Sequence, residues 1–313
     1  MKSRYRVSVV ILATGAALFA PVASRAAHPP NLPNSARLAQ TAQAGTKEYQ
    51  FSTFDVPGAF ATTAYGINAS GLVAGAYFVQ GIAHGFYLRH GSLTKVDHSG
   101  AEDTLLGGVS EPGLIIGNYG PFATQHAAIY DIGTDTWTTL PDVPNLPVNI
   151  GNGINPQGMA VGAAGTGDLN GVFNCVAWIW DGRAYSFFTV PGAGGLGTTA
   201  AGINASGQVV GYFGDANNAS HGFLKYGSTL TQIDVPGATD TFSYAINNRS
   251  DMAGWYVDQQ GIPHGFLLSG GKITTIDVPG SLGTQITSIS NNGELAGFWY
   301  DVNAIHAFTA IRH

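Results

Sequence analysis

Short apolar runs of strand-forming residues alternate with turns rich in glycine and asparagine from residue 49 to the end of the chain. The stretch 202–237 shows the pattern most fully, with the runs Gly-Ile-Asn-Ala-Ser-Gly, Val-Val-Gly-Tyr, His-Gly-Phe-Leu and Ile-Asp-Val-Pro-Gly in that order. β-branched and aromatic residues in runs of this length are typical of strands, and glycine permits the positive φ that hairpin turns often require. No stretch of the repeated region has a helical period of useful length. The pattern therefore predicts an all-β chain.

The same pattern occurs six times along the chain. We number the copies 1 to 6 by the residue that matches Asn204 of copy 4, and these anchors are Asn68, Ser110, Asn155, Asn204, Asn247 and Ser290. Successive anchors are separated by 42, 45, 49, 43 and 43 residues. A period near 44 residues with four strands per copy is typical of the blades of a β-propeller.

The two ends of the chain predict how the array closes. Copy 6 has only three strands before the chain stops, and a strand of the missing fourth type lies at residues 49–58. The sequence therefore predicts a six-bladed β-propeller of four-stranded blades over residues 49–313, with the last blade closed by the N-terminal strand. Such closure removes exposed strand edges. The alternative is an open β-solenoid, which would not predict a strand shared between the termini.

The third strand of five copies begins with histidine, at His84, His126, His221, His264 and His306. Together with Ile-Asn-x-x-Gly upstream and Asp-Val-Pro-Gly downstream, this strand resembles the HAF-type extracellular repeat, named for His-Ala-Phe. The resemblance implies an exported bacterial repeat protein with a propeller fold, and it brings no catalytic residues. Copy 3 departs from the pattern, with Cys175 in place of the histidine and Thr189 in place of the aspartate.

The N-terminal residues have the features of a targeting segment. Three basic residues, Lys2, Arg4 and Arg6, precede an apolar run from Val7 to Ala20, and small residues stand at 24 and 26. The run is shorter than the ~20 residues of a spanning helix, so a signal peptide over residues 1–26 is favoured over a membrane anchor. Residues 27–48 lack any sustained period and predict a disordered linker. We expect a secreted or periplasmic protein, with no membrane insertion after signal cleavage.

Charge and cysteine content narrow the possible partners. Without the signal peptide the chain has nine Lys and Arg against nineteen Asp and Glu, a formal charge of −10. This balance argues against nucleic acid and anionic membranes, which require a basic patch. The single cysteine, Cys175, leaves no internal disulfide, and it is expected to be buried and inert. A monomer is expected.

The repeated histidines are predicted to have a structural role. The fourth strands end in aspartates with the same rhythm, namely Asp55, Asp97, Asp142, Asp234 and Asp277. One histidine per blade cannot share an ion with the next, because facing sheets are ~10 Å apart. We therefore expect His–Asp or His–backbone bonds. The sequence contains no Gly-x-Ser-x-Gly, His-Glu-x-x-His or phosphate-binding motif, so no catalytic residue, metal or cofactor is predicted.

Candidate binding residues come from a second repeated position. Six residues before the anchors stand Thr62, Thr104, Asn149, Thr198, Thr241 and Thr284. In a propeller these residues would form a ring near one mouth of the central channel, either as a binding ring or only as favourable strand starts. Glu102, Asp103 and Asp240 break the repeat and are better single candidates. The loops with Asp215, Asp258 and Asp301 are expected on the same face.

These observations predict an exported binding or scaffolding protein, because variable loops on a rigid scaffold are where binding usually resides. The expected ligand is a neutral polymer or a protein at the loop-bearing channel mouth. The alternative is a propeller enzyme, a lactonase or a polysaccharide-active enzyme, with a metal in the channel. That alternative needs carboxylates or histidines in the first strands, which offer almost none.

Overall fold

The computed structural model describes residues 43–44, 48–168 and 171–313, and the side chains of 168–173 are excluded from the description. The predicted signal peptide (1–26) lies outside these residues. The predicted linker (27–48) lies outside them too, apart from 43–44 and 48.

Strands account for most of the regular structure. Before copy 1 lie β1 (Gln43–Ala44) and β2 (Tyr49–Phe54). Copy 1 contains β3 (Ala61–Ile67), β4 (Val73–Val79), β5 (Ile82–Arg89) and β6 (Ser92–Val96). Copy 2 contains β7 (Thr104–Val109), β8 (Leu114–Tyr119), β9 (His126–Asp131) and β10 (Thr136–Thr139), with a 3₁₀ turn at Phe122–Thr124. Copy 3 contains β11 (Val148–Ile154), β12 (Ala160–Asp168), β13 (Gly171–Trp180) and β14 (Tyr185–Phe188).

The last three copies follow the same order. Copy 4 contains β15 (Thr198–Ile203), β16 (Val209–Gly214), β17 (Ser220–Tyr226) and β18 (Thr229–Ile233). Copy 5 contains β19 (Asp240–Ile246), β20 (Met252–Val257), β21 (Pro263–Ser269) and β22 (Lys272–Ile276). Copy 6 contains β23 (Gly283–Ile289), β24 (Leu295–Tyr300) and β25 (Ile305–Arg312). No α-helix is present among the described residues.

The strands of each copy pair antiparallel in chain order, and the whole is a β-propeller arrangement. Copies 2, 3 and 4 form separate four-stranded sheets, and β1 adds to the outer strand of copy 5. Copies 6 and 1 belong to one eight-stranded sheet because a single parallel pair, Ile305 with Ala61, joins them. The bridge between Cys175 and Gly197 joins copies 3 and 4 in the same way. The hydrogen bonding thus gives five sheets where the sequence predicted six.

The N-terminal strand β2 lies beside the last strand of the chain. It pairs antiparallel with β25 over six residue pairs, from Tyr49 opposite Arg312 to Phe54 opposite Ala307. In copies 1 to 5 the corresponding place beside the third strand is occupied by that copy's own fourth strand.

Glycine in the second strand allows the bulged first strand of the same sheet to approach closely. A Cβ atom on Gly75 would overlap the carbonyl oxygen of Thr63 in the first strand, and Gly211 and Thr199 repeat this relation. The third-strand phenylalanines fill the space between neighbouring sheets, and Phe86, Phe223, Phe266 and Phe308 are fully buried. Because the chain has one cysteine, this packing and the hydrogen bonds between copies hold the sheets together.

The loops and turns divide between two faces. The loop face carries the loops that leave the fourth strands and those between second and third strands, and the turn face carries the tight turns. On the turn face, the anchor amides join neighbouring copies: Nδ2 donates from Asn68 to Ser110 O, from Asn155 to Asn204 O, from Asn204 to Asn247 O and from Asn247 to Ser290 O, at 3.0–3.3 Å. Each of these asparagines is almost fully buried.

We predict that Asn204→Ala lowers the free energy of unfolding by roughly 2–4 kcal/mol, because it removes the bond to the Asn247 carbonyl of the next copy and leaves two turn N–H groups without their acceptor. Urea unfolding measures the change. Ser206→Ala, at an exposed position of the same turn, serves as the control and is expected to stay within about 0.5 kcal/mol of the parent. Equal stabilities of the two variants would contradict the role of the amide.

Candidate functional site

The predicted ring of threonines is buried. Thr62, Thr104, Asn149, Thr198, Thr241 and Thr284 are each at most 2% exposed. In five copies the hydroxyl accepts a backbone N–H from the preceding turn, in the pairs Val56–Thr62, His98–Thr104, Val190–Thr198, Val235–Thr241 and Val278–Thr284, at 2.9–3.1 Å. The donor lies eight positions earlier in the Val190 pair and six positions earlier in the other four. These hydroxyls are hydrogen-bonded to the turn that follows the fourth strand of the preceding blade-forming segment. The binding role for the ring is therefore corrected to a structural one.

Asn149 takes the same place in copy 3 with different bonds. Its side-chain amide donates to Pro141 O at 3.2 Å and to the Tyr185 hydroxyl at 3.1 Å. Asn149 thus joins the first strand of copy 3 to the turn that leaves copy 2. Its side-chain N–H groups are used within the protein.

The predicted His–Asp pair is present in all five copies that carry the histidine. Nδ1 contacts the aspartate carboxylate in the pairs His84–Asp97, His126–Asp142, His221–Asp234, His264–Asp277 and His306–Asp55, at 2.7–2.9 Å. Each imidazole also packs against an aromatic ring of the second strand, in the pairs Tyr77–His84, Tyr119–His126, Phe213–His221, Tyr256–His264 and Trp299–His306. We call this arrangement of aromatic ring, histidine and aspartate the imidazole clamp.

Copy 3 lacks every member of the clamp. Ala164, Cys175 and Thr189 stand at the positions of the aromatic ring, the histidine and the aspartate. Burial raises the pKa of the Cys175 thiol to about 11, so the thiol is protonated and unreactive at neutral pH. The joint replacement indicates that the three clamp residues work as a unit.

In copies 4, 5 and 6 a second aspartate approaches the other side of the imidazole. The Nε2 atoms of His221, His264 and His306 lie 3.7, 3.3 and 3.8 Å from carboxylate oxygens of Asp215, Asp258 and Asp301. At His264 both ring nitrogens lie within hydrogen-bond distance of a carboxylate, and because a carboxylate only accepts hydrogen bonds, both can donate only in the imidazolium form. The sequence prediction that these loops share the face of the fourth-strand ends agrees with these contacts.

The carboxylates set the charge of the clamp histidines. Burial alone would lower the pKa of His221, but the hydrogen bond and charge of Asp234, with those of Asp215, raise it above the usual value of 6.5. Burial alone would also lower the pKa of His264, but the hydrogen bonds and charges of Asp277 and Asp258 raise it above the usual value of 6.5. The clamps of His221 and His264 therefore favour the protonated imidazole.

Two of the single candidates, Asp103 and Asp240, close the junctions between copies. Asp103 Oδ1 accepts the Ala83 N–H at 2.8 Å, and Asp240 Oδ1 accepts the Ser220 N–H at 2.9 Å. Each links the first strand of one copy to the third strand of the copy before it, so the predicted binding role of both is corrected to a structural one. Glu102 is exposed on the loop face.

The junction between copies 5 and 6 lacks this aspartate and contains a pocket. Gly283 stands at the position of Asp103 and Asp240, and Pro263 has no N–H to offer. A Cβ atom on Gly283 would overlap the hydroxyl of Tyr300, whose burial raises its pKa to about 12 and keeps it neutral. The resulting half-open pocket has a volume of about 260 Å³.

The pocket combines apolar walls with a few polar groups. Ile262, Pro263, Val278 and Pro279 contribute the walls, and His264, Asp277 and Ser281 contribute polar atoms. The Ser281 hydroxyl lies 3.0 Å from that of Thr284, whose burial fixes its position. Such a site suits a small ligand with apolar faces and hydroxyl groups.

The channel offers little to a metal-dependent enzyme. The six first strands, β3, β7, β11, β15, β19 and β23, contain no histidine or cysteine, and their one carboxylate is Asp240. Within the described residues, no group of three or more His, Cys, Asp or Glu side chains could hold an ion. A search of the same residues for helices of membrane-spanning length and hydropathy finds none.

The sequence analysis missed the aromatic member of the clamp and the pocket. The aromatic residue always stands two positions after the second-strand glycine, so the repeat itself carried that signal. The pocket had a weaker signal, namely Gly283 at a position where two other copies have aspartate.

No family model matches the chain, and no curated protein matches its sequence. Among solved structures, TolB from Acinetobacter baumannii matches with a TM-score of 0.55 and 14% identity, over 82% of this chain and 65% of that chain. A protein assigned as a gluconolactonase matches with a TM-score of 0.51 and 11% identity, over 85% and 92%. The fucose-specific lectin from Aleuria aurantia matches with a TM-score of 0.50 and 10% identity, over 85% and 93%. At such identities these likenesses support the propeller fold alone.

We predict that the free energy of unfolding falls as the pH rises above about 6.5. The pKa values of His221 and His264 are higher in the folded protein than in the unfolded chain, so their protonation stabilises the fold. This stabilisation is fully present below the unfolded pKa. That stability is lost as the pH passes through the folded pKa. Urea unfolding between pH 6 and pH 9 measures the slope. His221→Gln keeps a donor for Asp234 and is expected to reduce the slope, whereas Ser206→Ala is expected to keep it. An unchanged slope in His221→Gln would contradict the assignment.

Proposed function

We propose that this protein is an exported binding protein that recognises its ligand on the loop face. Export follows from the signal peptide predicted over residues 1–26. The observation that carries the binding proposal is the pocket between copies 5 and 6, which is open where Asp103 and Asp240 close the equivalent junctions. A rigid repeated scaffold whose loops differ between copies is the arrangement expected for a binding site.

The pocket favours one uncharged sugar unit of a neutral polysaccharide. Its volume of about 260 Å³ lies below the ≈ 300–1,000 Å³ of sites for drug-sized ligands, so it suits one unit and not a long segment. Ile262, Pro263 and Pro279 can pack against the C–H face of a sugar ring. Ser281 supplies a hydrogen-bonding hydroxyl, and the pair of His264 with Asp277, whose side chains are 24% and 29% exposed, supplies further polar atoms. The surrounding aspartates disfavour an anionic ligand.

We predict that the mature protein is retained by at least one neutral polysaccharide and that Ser281→Tyr, which fills the pocket, weakens this binding at least about tenfold. Pull-down on insoluble glycans and calorimetry with soluble fragments measure binding, and an anionic polysaccharide provides the comparison ligand.

Ala238→Tyr is the matched control, because Ala238 occupies the same turn position at the junction that Asp240 closes. It is expected to keep the affinity of the parent, and thermal melting shows whether either variant is misfolded. The proposal fails if no neutral glycan binds above background, or if the two variants lose affinity equally.

We also infer that the six copies are six blades, as the number of repeats in the sequence predicts, and that β2 completes the last blade. Contacts between successive first strands support this count, because they run from β3 through β7, β11, β15, β19 and β23 and back to β3. The clamp of copy 6 supports the closure, since its aspartate is Asp55, which directly follows β2. The link between copies 6 and 1 is a single residue pair.

A deletion series tests the closure. Removal of residues 1–42 is expected to leave the melting temperature unchanged, because β2 and Asp55 remain. Removal of residues 1–56 is expected to lower it by 10 °C or more, on the order of several kcal/mol, because β25 loses its partner strand and His306 its carboxylate. Equal melting temperatures of the two truncated proteins would show that β2 does not close the ring.

A further inference from the structure

Exposed apolar side chains gather on one part of the loop face. Of eight large hydrophobic residues that are exposed among the described residues, five lie on the loop face of copies 5, 6 and 1: Phe60, Ile82, Ile262, Leu282 and Val302. We call this set the apolar crescent. Val302 is 72% exposed, and Phe60 and Leu282 are each 52% exposed. Exposed apolar side chains on neighbouring loops of one face indicate an interaction site.

The crescent lies on the loop face, where carboxylates far outnumber the described Lys and Arg residues. Eleven carboxylates stand in the loops of the loop face or at the strand ends beside them: Asp55, Asp97, Glu102, Asp103, Asp142, Asp215, Asp234, Asp240, Asp258, Asp277 and Asp301. Six of the seven described Lys and Arg residues lie at the turn face: Arg89, Arg183, Lys225, Arg249, Lys272 and Arg312. The seventh, Lys95, is on an outer strand, over the ring of Tyr77.

From this combination we propose that the apolar crescent is a docking surface for a cationic polypeptide segment that carries apolar side chains. The apolar residues would cover Leu282, Phe60 and Val302, and the Lys or Arg residues would face carboxylates such as Asp301 and Glu102. Complementary charge on the partner speeds association and selects against other surfaces. The proposal does not depend on the sugar pocket.

The same charges disfavour the other occupants of the crescent. Two copies of this chain joined through their loop faces would bring two sets of eleven carboxylates together, which is repulsive. A neutral polymer would gain nothing from the acidic groups around the crescent, whereas a cationic segment gains from both the apolar and the charged groups.

The test uses the mature chain and three synthetic peptides of equal length, made of Lys and Leu, of Lys and Ser, or of Glu and Leu. Fluorescence anisotropy is expected to show that the Lys–Leu peptide binds at least about tenfold more tightly than the other two. Its affinity is expected to fall as the salt rises from about 50 to about 300 mM.

Two double variants locate the surface that binds the Lys–Leu peptide. Leu282→Ser with Val302→Ser is expected to weaken the Lys–Leu peptide roughly tenfold or more, because it removes two exposed apolar groups of the crescent. Phe187→Ser with Tyr226→Ser removes two exposed apolar groups outside the crescent and is expected to change little. Ser281→Tyr, which fills the sugar pocket, is expected to leave the peptide affinity unchanged.

Four results would overturn the proposal. They are no binding of the Lys–Leu peptide, equal binding of the Lys–Ser peptide, equal losses in the two paired variants, and a dimer in sedimentation that Leu282→Ser with Val302→Ser dissociates. The first two results would show that binding does not depend on positive charge and apolar contact together. The third places the contact elsewhere, and the fourth makes a second copy the occupant.

Discussion

One hydrogen bond, repeated between copies, determines how this propeller is assembled. The backbone N–H of the residue after the clamp aspartate, such as Val235, donates to the hydroxyl of the threonine six positions later, here Thr241. The bond fixes the turn that leaves one sheet against the first strand of the next. Because the aspartate directly precedes that N–H, the same bond also holds the clamp in place. The scaffold has one cysteine and few charged residues, so it relies on such buried polar bonds together with apolar packing.

The sequence predicted the all-β propeller arrangement well, because the repeat period and the turn glycines report directly on strands and blades. It also predicted the pairing of His221 with Asp234, since both positions recur with one rhythm. The bonds of Thr241 and Asp240 could not be predicted, because both join neighbouring copies, which no local pattern shows. Thr241 contacts a turn that is already complete in the preceding copy, and Asp240 contacts a strand two elements away. Five sheets appear in place of six because of one residue pair, Ile305 with Ala61.

The candidate site lies at a junction that has no bridging aspartate. At two junctions an aspartate bridges neighbouring copies, whereas Gly283 and Pro263 provide neither the acceptor nor the donor of that bridge. The clamp of His264 remains next to the opened space, so a rigid group borders the pocket. Repeated residues therefore hold the scaffold, and the departures from the repeat form the surfaces available to a partner. The apolar crescent follows the same rule, since Phe60, Leu282 and Val302 lie in loops that differ between copies.

This division between repeated and unrepeated residues makes Thr241 the most direct place to test the account. Thr241→Val keeps the shape of the side chain and removes only the acceptor of the Val235 N–H. The account predicts that the free energy of unfolding, measured in urea, falls by about 1–3 kcal/mol, while the affinity for a glycan that the parent retains is unchanged. Unchanged stability together with lost binding would contradict it, because the threonines would then be the binding ring and not the joint between the blades.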